Sequence, residues 1–333
     1  VVELSTLRID STELESIVDS FNDIFDYYTV DNIIQFNSSK IGIIDGSFNG
    51  GNYEFIEIID SINSGITTIN SSFNDITTSE LGYIIISGND FRIVDDSFNN
   101  LTTSNLFLGD NYIEVITNSF VNLDITGELN IQNNRLATLA GIDQVTSVPS
   151  LDLSNNRLNT VSFLDDIAGL TTLDISHQEN LDVPENSLLI IDGINNMPNL
   201  DTIVMDDLAI TEIDGFKDIG ITEFYLNYSD NSDIVINSIT SDSFSNNVIT
   251  ELDFTGHDLN NIDFLTNFTS LTNLSISFNL ADISYFDTAV FESGLESLVI
   301  ENVQDTTDFS YLSEYDNLTF LRYDGLSTLS IKI

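Results

Sequence analysis

A short pattern of apolar and polar positions recurs along the chain. Each copy has two apolar residues separated by one other residue, and a polar residue, often Asn, lies three positions beyond the second. Alternation of this kind predicts a short strand with one face toward a core. The pattern occurs fourteen times, mostly 21–24 residues apart, and its first apolar residues are Leu7, Ile34, Ile56, Ile84, Leu106, Leu129, Leu151, Leu173, Ile203, Phe224, Leu252, Leu274, Leu298 and Leu321.

The polar residue after each pair predicts a ladder of buried side chains. A polar side chain that points inward must satisfy backbone groups exposed where the chain turns, and Asn offers both a donor and an acceptor. We expect the ladder to be most regular between residues 84 and 160. Asn fills the position at Asn89, Asn111, Asn134, Asn156 and Asn279; Ser39, Ser61, Gln178, Ser229 and His257 replace it; Leu208, Val303 and Leu326 interrupt it.

Two kinds of segment lie between successive pairs. Early copies carry Ser-Phe about fourteen residues after the strand begins, at Ser20-Phe21, Ser47-Phe48, Ser97-Phe98 and Ser119-Phe120, and Ser72-Phe73 is displaced by an insertion. Later copies carry apolar residues at other spacings, as in Phe163-Leu164…Ile167…Leu170 and Phe264-Leu265…Phe268…Leu271. Self-similarity at this period is the sequence signature of a solenoid, in which each unit is stabilised chiefly by its neighbours.

Over nearly its whole length the sequence resembles the leucine-rich-repeat family. The Ser-Phe copies are similar to the 24-residue type of secreted and receptor proteins, and the later copies to the 22-residue type of bacterial internalins. The resemblance implies an α/β-class solenoid of about fourteen repeats, with a curved parallel sheet on its concave face. It also implies a convex side that is mostly irregular, 3-10 or short-helical. We expect a single domain over 1–333, with Ser-Phe repeats in 1–125 and internalin-like repeats in 126–333.

Composition narrows the partners that such a solenoid could have. The chain has 54 acidic and 8 basic residues, a net charge of −46, so nucleic-acid and anionic-membrane binding are disfavoured. The acidity suits cationic partners, and it equally suits solubility in salty surroundings. No apolar run reaches the roughly 18–20 residues of a membrane-spanning helix. We therefore expect no membrane insertion within this chain.

The absence of cysteine and the first residues bear on the compartment. With no cysteine, disulfide caps, thiolate metal sites and cysteine nucleophiles are excluded. The opening Val1-Val2-Glu3 reads as a mature or trimmed start, which favours an extracellular or cell-surface location. Glycosylation is left open, because the Asn-x-Ser/Thr sequences are as frequent as chance predicts.

Aromatic and aliphatic residues at the non-core strand positions are the candidate partner-binding residues. In the family that the chain resembles, these positions line the concave face and contact partners. Exposed aromatics on a rigid sheet provide large contact area at low entropic cost. We expect Tyr83, Ile85 and Phe107 to cluster. The full set is Phe55, Tyr83, Ile85, Phe107, Tyr225, Tyr228, Phe278 and Phe320.

Rows of carboxylates at similar positions raise the question of calcium. Ca²⁺ takes six to eight oxygen ligands, but the sequence contains no twelve-residue calcium loop. The alternative is an acidic face that is simply solvated. The candidate ligands are Asp110, Asp152, Asp174, Asp206 and Asp207; no other cofactor is expected.

Catalysis has little support in the sequence, and we expect no enzymatic activity. Of the two histidines, His257 occupies a ladder position, and the sequence around His177 does not indicate a catalytic triad. The leading hypothesis is a recognition or adhesion protein that binds a protein or glycan on its concave face. The alternative is a structural subunit of an extracellular filament, layer or matrix, which assembles through solenoid ends or the convex face. A cytosolic scaffold of a salt-adapted organism is a third reading.

Two segments depart from the regular repeat. The stretch from Gln178 to Asn199 is long for a solenoid connection and is the candidate functional loop. The final Leu329-Ser-Ile331-Lys-Ile333 alternates like a strand with an open edge. That strand is either a cap, a surface for another molecule, or continued by further chain.

Overall fold

The computed structural model describes residues 6–11, 15–23, 33–38, 41–59, 68–165, 167, 169–178, 188, 190–226, 234–259, 262–278, 294–303 and 315–325. The architecture is a parallel β-solenoid of about ten turns, with almost no helix. The chain divides into a first unit, Val1–Leu158 with Ile167–Asp174, and a second unit, Asn159–Asp166 with Ile175–Ile333. The solenoid prediction is thus confirmed, whereas the leucine-rich-repeat class, the count of fourteen and the single domain stay predictions.

In its described residues, the first unit contains short strands and one 3-10 helix, Ile142–Gln144. Its strands are β1 (Thr6–Ser11), β2 (Ser16–Val18), β3 (Ile33–Ser38), β4 (Ile43–Asp45), β5 (Asn52–Ile59), β6 (Thr68–Asn70), β7 (Thr77–Ile85), β8 (Ile93–Asp95), β9 (Thr102–Thr103), β10 (Asn105–Phe107), β11 (Val115–Thr117), β12 (Asp124–Ile125), β13 (Glu128–Asn130), β14 (Ser150–Asp152) and β15 (Thr172–Asp174).

Eight of these strands form the main sheet of the first unit, in the order β1-β3-β5-β7-β10-β13-β14-β15. All neighbours are parallel, and the first apolar residue of each predicted pair lies opposite its counterpart on the next strand. Ile84, for example, is the partner of Ile56 on one side and of Leu106 on the other. Ile56, Ile84 and Leu106 are fully buried, so the alternation correctly predicts both the register and the inward face of the sheet at these strands.

The first unit has a second parallel sheet, the return sheet, with the order β11-β8-β6-β4-β2. The family resemblance implies irregular or short-helical segments there, and the structure corrects that expectation. The three-residue runs around Ile44, Ile69 and Val94 alternate in exposure with a buried central residue, which is the pattern of a half-buried strand. A further pair, β9 with β12, lies next to β7.

The Ser-Phe segments form a left-handed turn after each return strand. Phe48, Phe73 and Phe98 have φ of 59°, 60° and 60°, a conformation that costs an ordinary L-residue about 1–2 kcal/mol. Stacking offsets this cost, because the Phe73 ring lies nearly parallel to those of Phe48 and Phe98 at centroid distances of 4.9 and 5.1 Å. All three rings are fully buried. They form part of a phenylalanine stack, and Phe48 also packs edge-on against Phe36 of β3 at a centroid distance of 5.8 Å.

Serine hydroxyls tie these turns to one another. The backbone N–H of Ser47 donates to Oγ of Ser72 at 3.0 Å, and that of Ser72 donates to Oγ of Ser97 at 3.1 Å. Each hydroxyl in turn donates to a carbonyl two residues earlier, as Ser72 does to Asn70 at 2.7 Å. A buried Ser is therefore required because its oxygen satisfies an N–H in the preceding turn and its proton satisfies a carbonyl in its own.

The second unit has the strands β16 (Ile190–Ile191), β17 (Thr202–Val204), β18 (Glu212–Ile213), β19 (Glu223–Tyr225), β20 (Ile234–Ile236), β21 (Ser238–Ile239), β22 (Glu251–Leu259), β23 (Asn273–Phe278), β24 (Ser297–Val303) and β25 (Phe320–Gly325). Its larger sheet has the order β19-β22-β23-β24-β25, with β20 also paired to β22, and β16-β18-β21 form a smaller sheet. Two 3-10 helices, Ser162–Leu164 and Asp263–Asn267, bury Leu164, Phe264 and Leu265.

The left-handed phenylalanine turn recurs in the second unit. Phe216 and Phe244 have φ of 61° and 59°, and their rings stack at 5.1 Å. Gly215 stands where Ser precedes Phe in the early copies, which hides the turn at Phe216, whereas Ser243 before Phe244 was a signal that sequence reasoning missed. A Cβ at Gly215 would come within 2.1 Å of the carbonyl oxygen of Gly193, so the close approach of successive turns requires glycine here.

Candidate functional site

The outward positions of the main sheet bring three predicted partner-binding residues together. In register, Tyr83 on β7 precedes Ile84, and Ile85 lies directly opposite Phe107 on β10. All three side chains are half-buried. The register thus places Tyr83, Ile85 and Phe107 on two adjacent strands, as a cluster that we call the aromatic patch.

Acidic and polar groups border the aromatic patch. Glu57 lies opposite Ile85 on β5, and its carboxylate accepts a 2.6 Å hydrogen bond from Gln35. Burial, followed by the charges of Glu57 and Glu54, raises the pKa of Tyr83, so its hydroxyl stays protonated near neutral pH. Phe55 is the backbone neighbour of Tyr83 on β5, but its side chain lies outside the described residues. The patch therefore combines apolar area, a phenol donor and negative charge.

Of the predicted residues of the second unit, the structure describes the side chains of Tyr225 and Phe320, and these two lie on different strands. Tyr225 is 38% exposed on β19, where its hydroxyl donates to Glu223 at 3.2 Å. Burial and then a hydrogen bond to Glu251 raise the pKa of Tyr225. Phe320 is 52% exposed on β25, with β22, β23 and β24 between it and β19. Tyr228, Asn279 and the side chain of Phe278 lie outside the described residues.

The candidate calcium ligands are dispersed. Asp152 and Asp174 are register partners on β14 and β15, whereas Asp110 lies beyond β10 and accepts from Asn133 at 2.7 Å. Asp206 and Asp207 belong to the second unit, where Asp207 lies 2.9 Å from Nε2 of His177. Across the described ranges, no group of three or more His, Cys, Asp or Glu residues could hold a metal ion. Calcium binding stays a prediction, with only the Asp152–Asp174 pair brought together.

The asparagine ladder is present at four of its predicted positions, Asn89, Asn111, Asn134 and Asn156, and all four are buried. Asn134 shows the geometry: its amide donates to the carbonyls of Leu108, Ile131 and Gln132 at 3.0, 3.1 and 3.1 Å. Its Oδ1 accepts from the N–H of Ile113 at 2.8 Å. One side chain therefore links its own turn to the preceding one.

Two predicted replacements also satisfy turn carbonyls. Gln178 is buried and donates to the carbonyls of Ile175 and Ser176 at 3.0 and 3.1 Å. His257 is fully buried, and its Nε2 lies 3.1 Å from the carbonyl oxygen of Leu208. Burial lowers the pKa of His257, although hydrogen bonds to the backbone of Leu208 and Leu226 act in the opposite direction. The folded state therefore favours the neutral imidazole.

This buried histidine predicts a loss of stability on mild acidification. Below its ordinary pKa near 6.5, His257 takes up a proton in the unfolded chain but not in the folded one, so the free energy of unfolding decreases as pH falls. The slope reaches at most about 1.4 kcal/mol per pH unit. Urea unfolding between pH 7.5 and the onset of carboxylate protonation measures it.

His257→Asn places the usual ladder residue at this position and should remove that part of the slope. His177→Asn, at the chain's other histidine, should retain it. Equal slopes for wild type and His257→Asn would contradict the assignment.

Sequence reasoning missed a group of basic residues in the first unit. Arg135 lies over the ring of Tyr112, with its guanidinium carbon 4.4 Å from the ring centroid. Glu114 lies 3.6 Å from Arg135 and 3.9 Å from Arg92. The available signal was the residue after each ladder asparagine, which gives Tyr112, Arg135 and Arg157 in successive copies.

No protein-family model matches the chain, and no curated protein is significantly similar to it. Among the described residues, no helix is long and apolar enough to cross a membrane. Functional inference therefore depends on the geometry and chemistry of the residues themselves.

Proposed function

We propose that this chain is a non-enzymatic recognition protein of the leucine-rich-repeat type, which acts outside the cell or at its surface. It binds a partner through the outward face of the main sheet. The supporting observation is the aromatic patch, in which Tyr83, Ile85 and Phe107 lie on adjacent strands of a rigid sheet. Such a surface needs little ordering on binding, and that saves conformational entropy.

The chemistry of the patch favours a protein partner over a glycan. Ile85 and Phe107 offer apolar area that matches aliphatic side chains, and Glu57 beside them carries negative charge. A partner that presents an apolar residue flanked by Lys or Arg complements both features. The net charge of −46 would also speed the encounter with such a basic surface at low salt.

The binding test is a double substitution in the patch. Tyr83→Ala with Phe107→Ala removes two aromatic anchors, and the affinity for a basic protein partner should fall at least tenfold, since hot-spot truncations cost about 2 kcal/mol or more each. A panel of basic proteins and a glycan array, each titrated against immobilised chain, supplies the partner. The matched control is Ile93→Ala with Val115→Ala, which truncates two exposed residues of the return sheet.

Three outcomes of this titration decide the proposal. Loss of binding only in the aromatic variant supports it, provided that both variants melt at the wild-type temperature. Binding that survives in the aromatic variant contradicts the assigned surface. Capture of glycans but no protein would keep the surface and overturn the partner class.

Assembly of identical copies is the second candidate function. The observation in its favour is the group of arginines, because positive charge is scarce in this chain and these residues lie within one short stretch of turns. The first candidate predicts a protein that recognises another molecule, whereas the second predicts one that recognises itself.

A further inference from the structure

The basic residues missed by sequence reasoning form a surface that we call the arginine patch: Arg92, Tyr112, Glu114, Arg135 and Arg157. Three of the eight basic residues of the whole chain are found here. In a protein with 54 acidic residues, this concentration of positive charge distinguishes the patch from the rest of the sequence.

Backbone hydrogen bonds align the patch residues in a row. The N–H of Arg135 donates to the carbonyl of Ile113, and the N–H of Arg157 donates to the carbonyl of Leu136, both at 2.9 Å. In each case the acceptor follows the preceding member of the row, Tyr112 or Arg135. Tyr112, Arg135 and Arg157 therefore occupy the same position on three successive turns, which in a parallel ladder lie about 4.8 Å apart.

Neighbouring groups hold the guanidiniums of Arg92 and Arg135 in place and leave part of each exposed. The ring of Tyr112 supports Arg135 from one side, and Glu114 lies between Arg135 and Arg92. The side chain of Arg92 is 54% exposed and that of Arg135 is 29% exposed. A guanidinium has five N–H donors in a fixed planar arrangement, so one that contacts a single carboxylate can bind another.

The main sheet carries a pair of carboxylates with the same repeat. Asp152 and Asp174 are register partners on adjacent strands and are half-buried. Asp152 is held by hydrogen bonds from the backbone N–H of Ser154 at 2.9 Å, from its hydroxyl at 2.7 Å, and from Asn130 at 3.1 Å. The spacing of this pair is set by the same strand separation that sets the spacing of Arg135 and Arg157.

We propose that the arginine patch binds the Asp152–Asp174 pair of a second copy of this chain. Two arginines whose backbones lie one strand separation apart can meet two aspartates whose backbones have the same separation, so that both ion pairs form together. Carboxylates with this spacing occur where acidic residues lie side by side on a parallel sheet, and a second copy of this chain presents such a pair. The contact joins different surfaces of the two copies, and repetition of such a heterologous contact produces a chain or a ring.

The inference rests on the second candidate function and is independent of the aromatic patch. Because each copy carries a net charge of −46, long-range repulsion opposes the encounter at low salt. The Debye length is about 30 Å at 0.01 M salt and about 8 Å at 0.15 M, so added salt screens the repulsion more than it weakens contacting ion pairs. Association should therefore rise from low to physiological salt and fall again at molar salt.

The test is light scattering of the full chain over a concentration series at physiological salt. The wild-type mass should grow above the 37.0 kDa of one chain. Arg135→Gln with Arg157→Gln should remain at one chain throughout. Lys217→Gln with Arg322→Gln is the matched control: it removes the same number of charges, from residues paired with Asp214 and Glu301, and should associate like the wild type.

Complementation then tests which surfaces meet. Asp152→Asn with Asp174→Asn keeps side-chain oxygens as acceptors but removes the charges, and this variant should also remain at one chain. Mixed with the Arg135→Gln, Arg157→Gln variant, it should form complexes of two chains and no larger, since such a mixture retains one intact contact. Melting temperatures identify any variant that fails to fold.

Several results would overturn the proposal. These are a wild type that stays at one chain, association that survives either double substitution, or a mixture that does not pair. A wild type that stays at one chain but binds an acidic polysaccharide through these arginines would identify a different occupant. Tyr83→Ala with Phe107→Ala should leave self-association intact, so failure here and failure of the recognition function give different results.

Discussion

Phe73→Ala is expected to lower the free energy of unfolding by about 3–5 kcal/mol, the cost of truncating a fully buried aromatic residue. Phe73 is stacked between Phe48 and Phe98, so its loss removes contacts on both faces and leaves a cavity. Backbone strain cancels in the comparison, because Ala and Phe both carry a Cβ at φ of 60°. Equilibrium urea unfolding followed by circular dichroism measures the change.

Phe73→Leu is the control for this prediction. It keeps most of the apolar volume and should cost clearly less than Phe73→Ala, since retained volume limits the cavity. If Phe73→Ala costs less than about 1 kcal/mol, the phenylalanine stack does not stabilise the turns in the way that its burial indicates.

Asn134→Ala should lower the free energy of unfolding by about 1–3 kcal/mol, because the buried N–H of Ile113 loses its acceptor. The carbonyls of Leu108, Ile131 and Gln132 each lose one donor but keep a second. Asn134→Asp is the sharper variant, since it keeps the shape but replaces the donor with a carboxylate oxygen. It should cost at least as much at neutral pH. Part of the loss should be recovered in acid, where the introduced carboxyl gains a proton to donate.

Asn133→Gly, one residue earlier, is the matched control for the ladder. Asn133 is exposed and has a φ of 52°, a conformation in which Gly is unstrained. Its side chain donates to Asp110, which is also exposed. The change should therefore be small. If Asn134→Asp were as stable as the wild type at pH 7, the side chain would serve only to fill space.

The inward face of the solenoid was predictable because periodicity determines which side chains are buried. The apolar pairs starting at Ile84 and Leu106 give the register directly, and the ladder position of Asn134 follows from the need to satisfy turn carbonyls. The backbone between these positions was not predictable in the same way. The Ser-Phe pair marks these turns in the sequence, but a φ near 60° at phenylalanine does not follow from local preference, since its cost is offset by stacking on the next turn.

The candidate site was predictable to a similar extent. The register that places Ile85 opposite Phe107 follows from the repeat, whereas the exposure of each side chain depends on its neighbours. The row of Tyr112, Arg135 and Arg157 was visible in the sequence as the residue after each ladder asparagine. The ion pairs of this row were not visible in the sequence, because they depend on the distances between turns that place Glu114 between two guanidiniums. Family membership, location and calcium binding are not fixed by such contacts and stay predictions.

The hydrogen bonds that join the buried serines of successive turns, a serine ladder, affect how a protein of this kind can change in length. Ser72 and Ser97 are bonded across a separation of 25 residues and Ser97 and Ser119 across 22, with the same geometry. The ladder thus constrains where each turn ends but not how many residues it contains. Duplication or deletion of the coding sequence for one whole turn would preserve these bonds, and small insertions between ladder positions would be tolerated. Evolution can thereby add turns, remove turns or insert loops without changing the packing of the core.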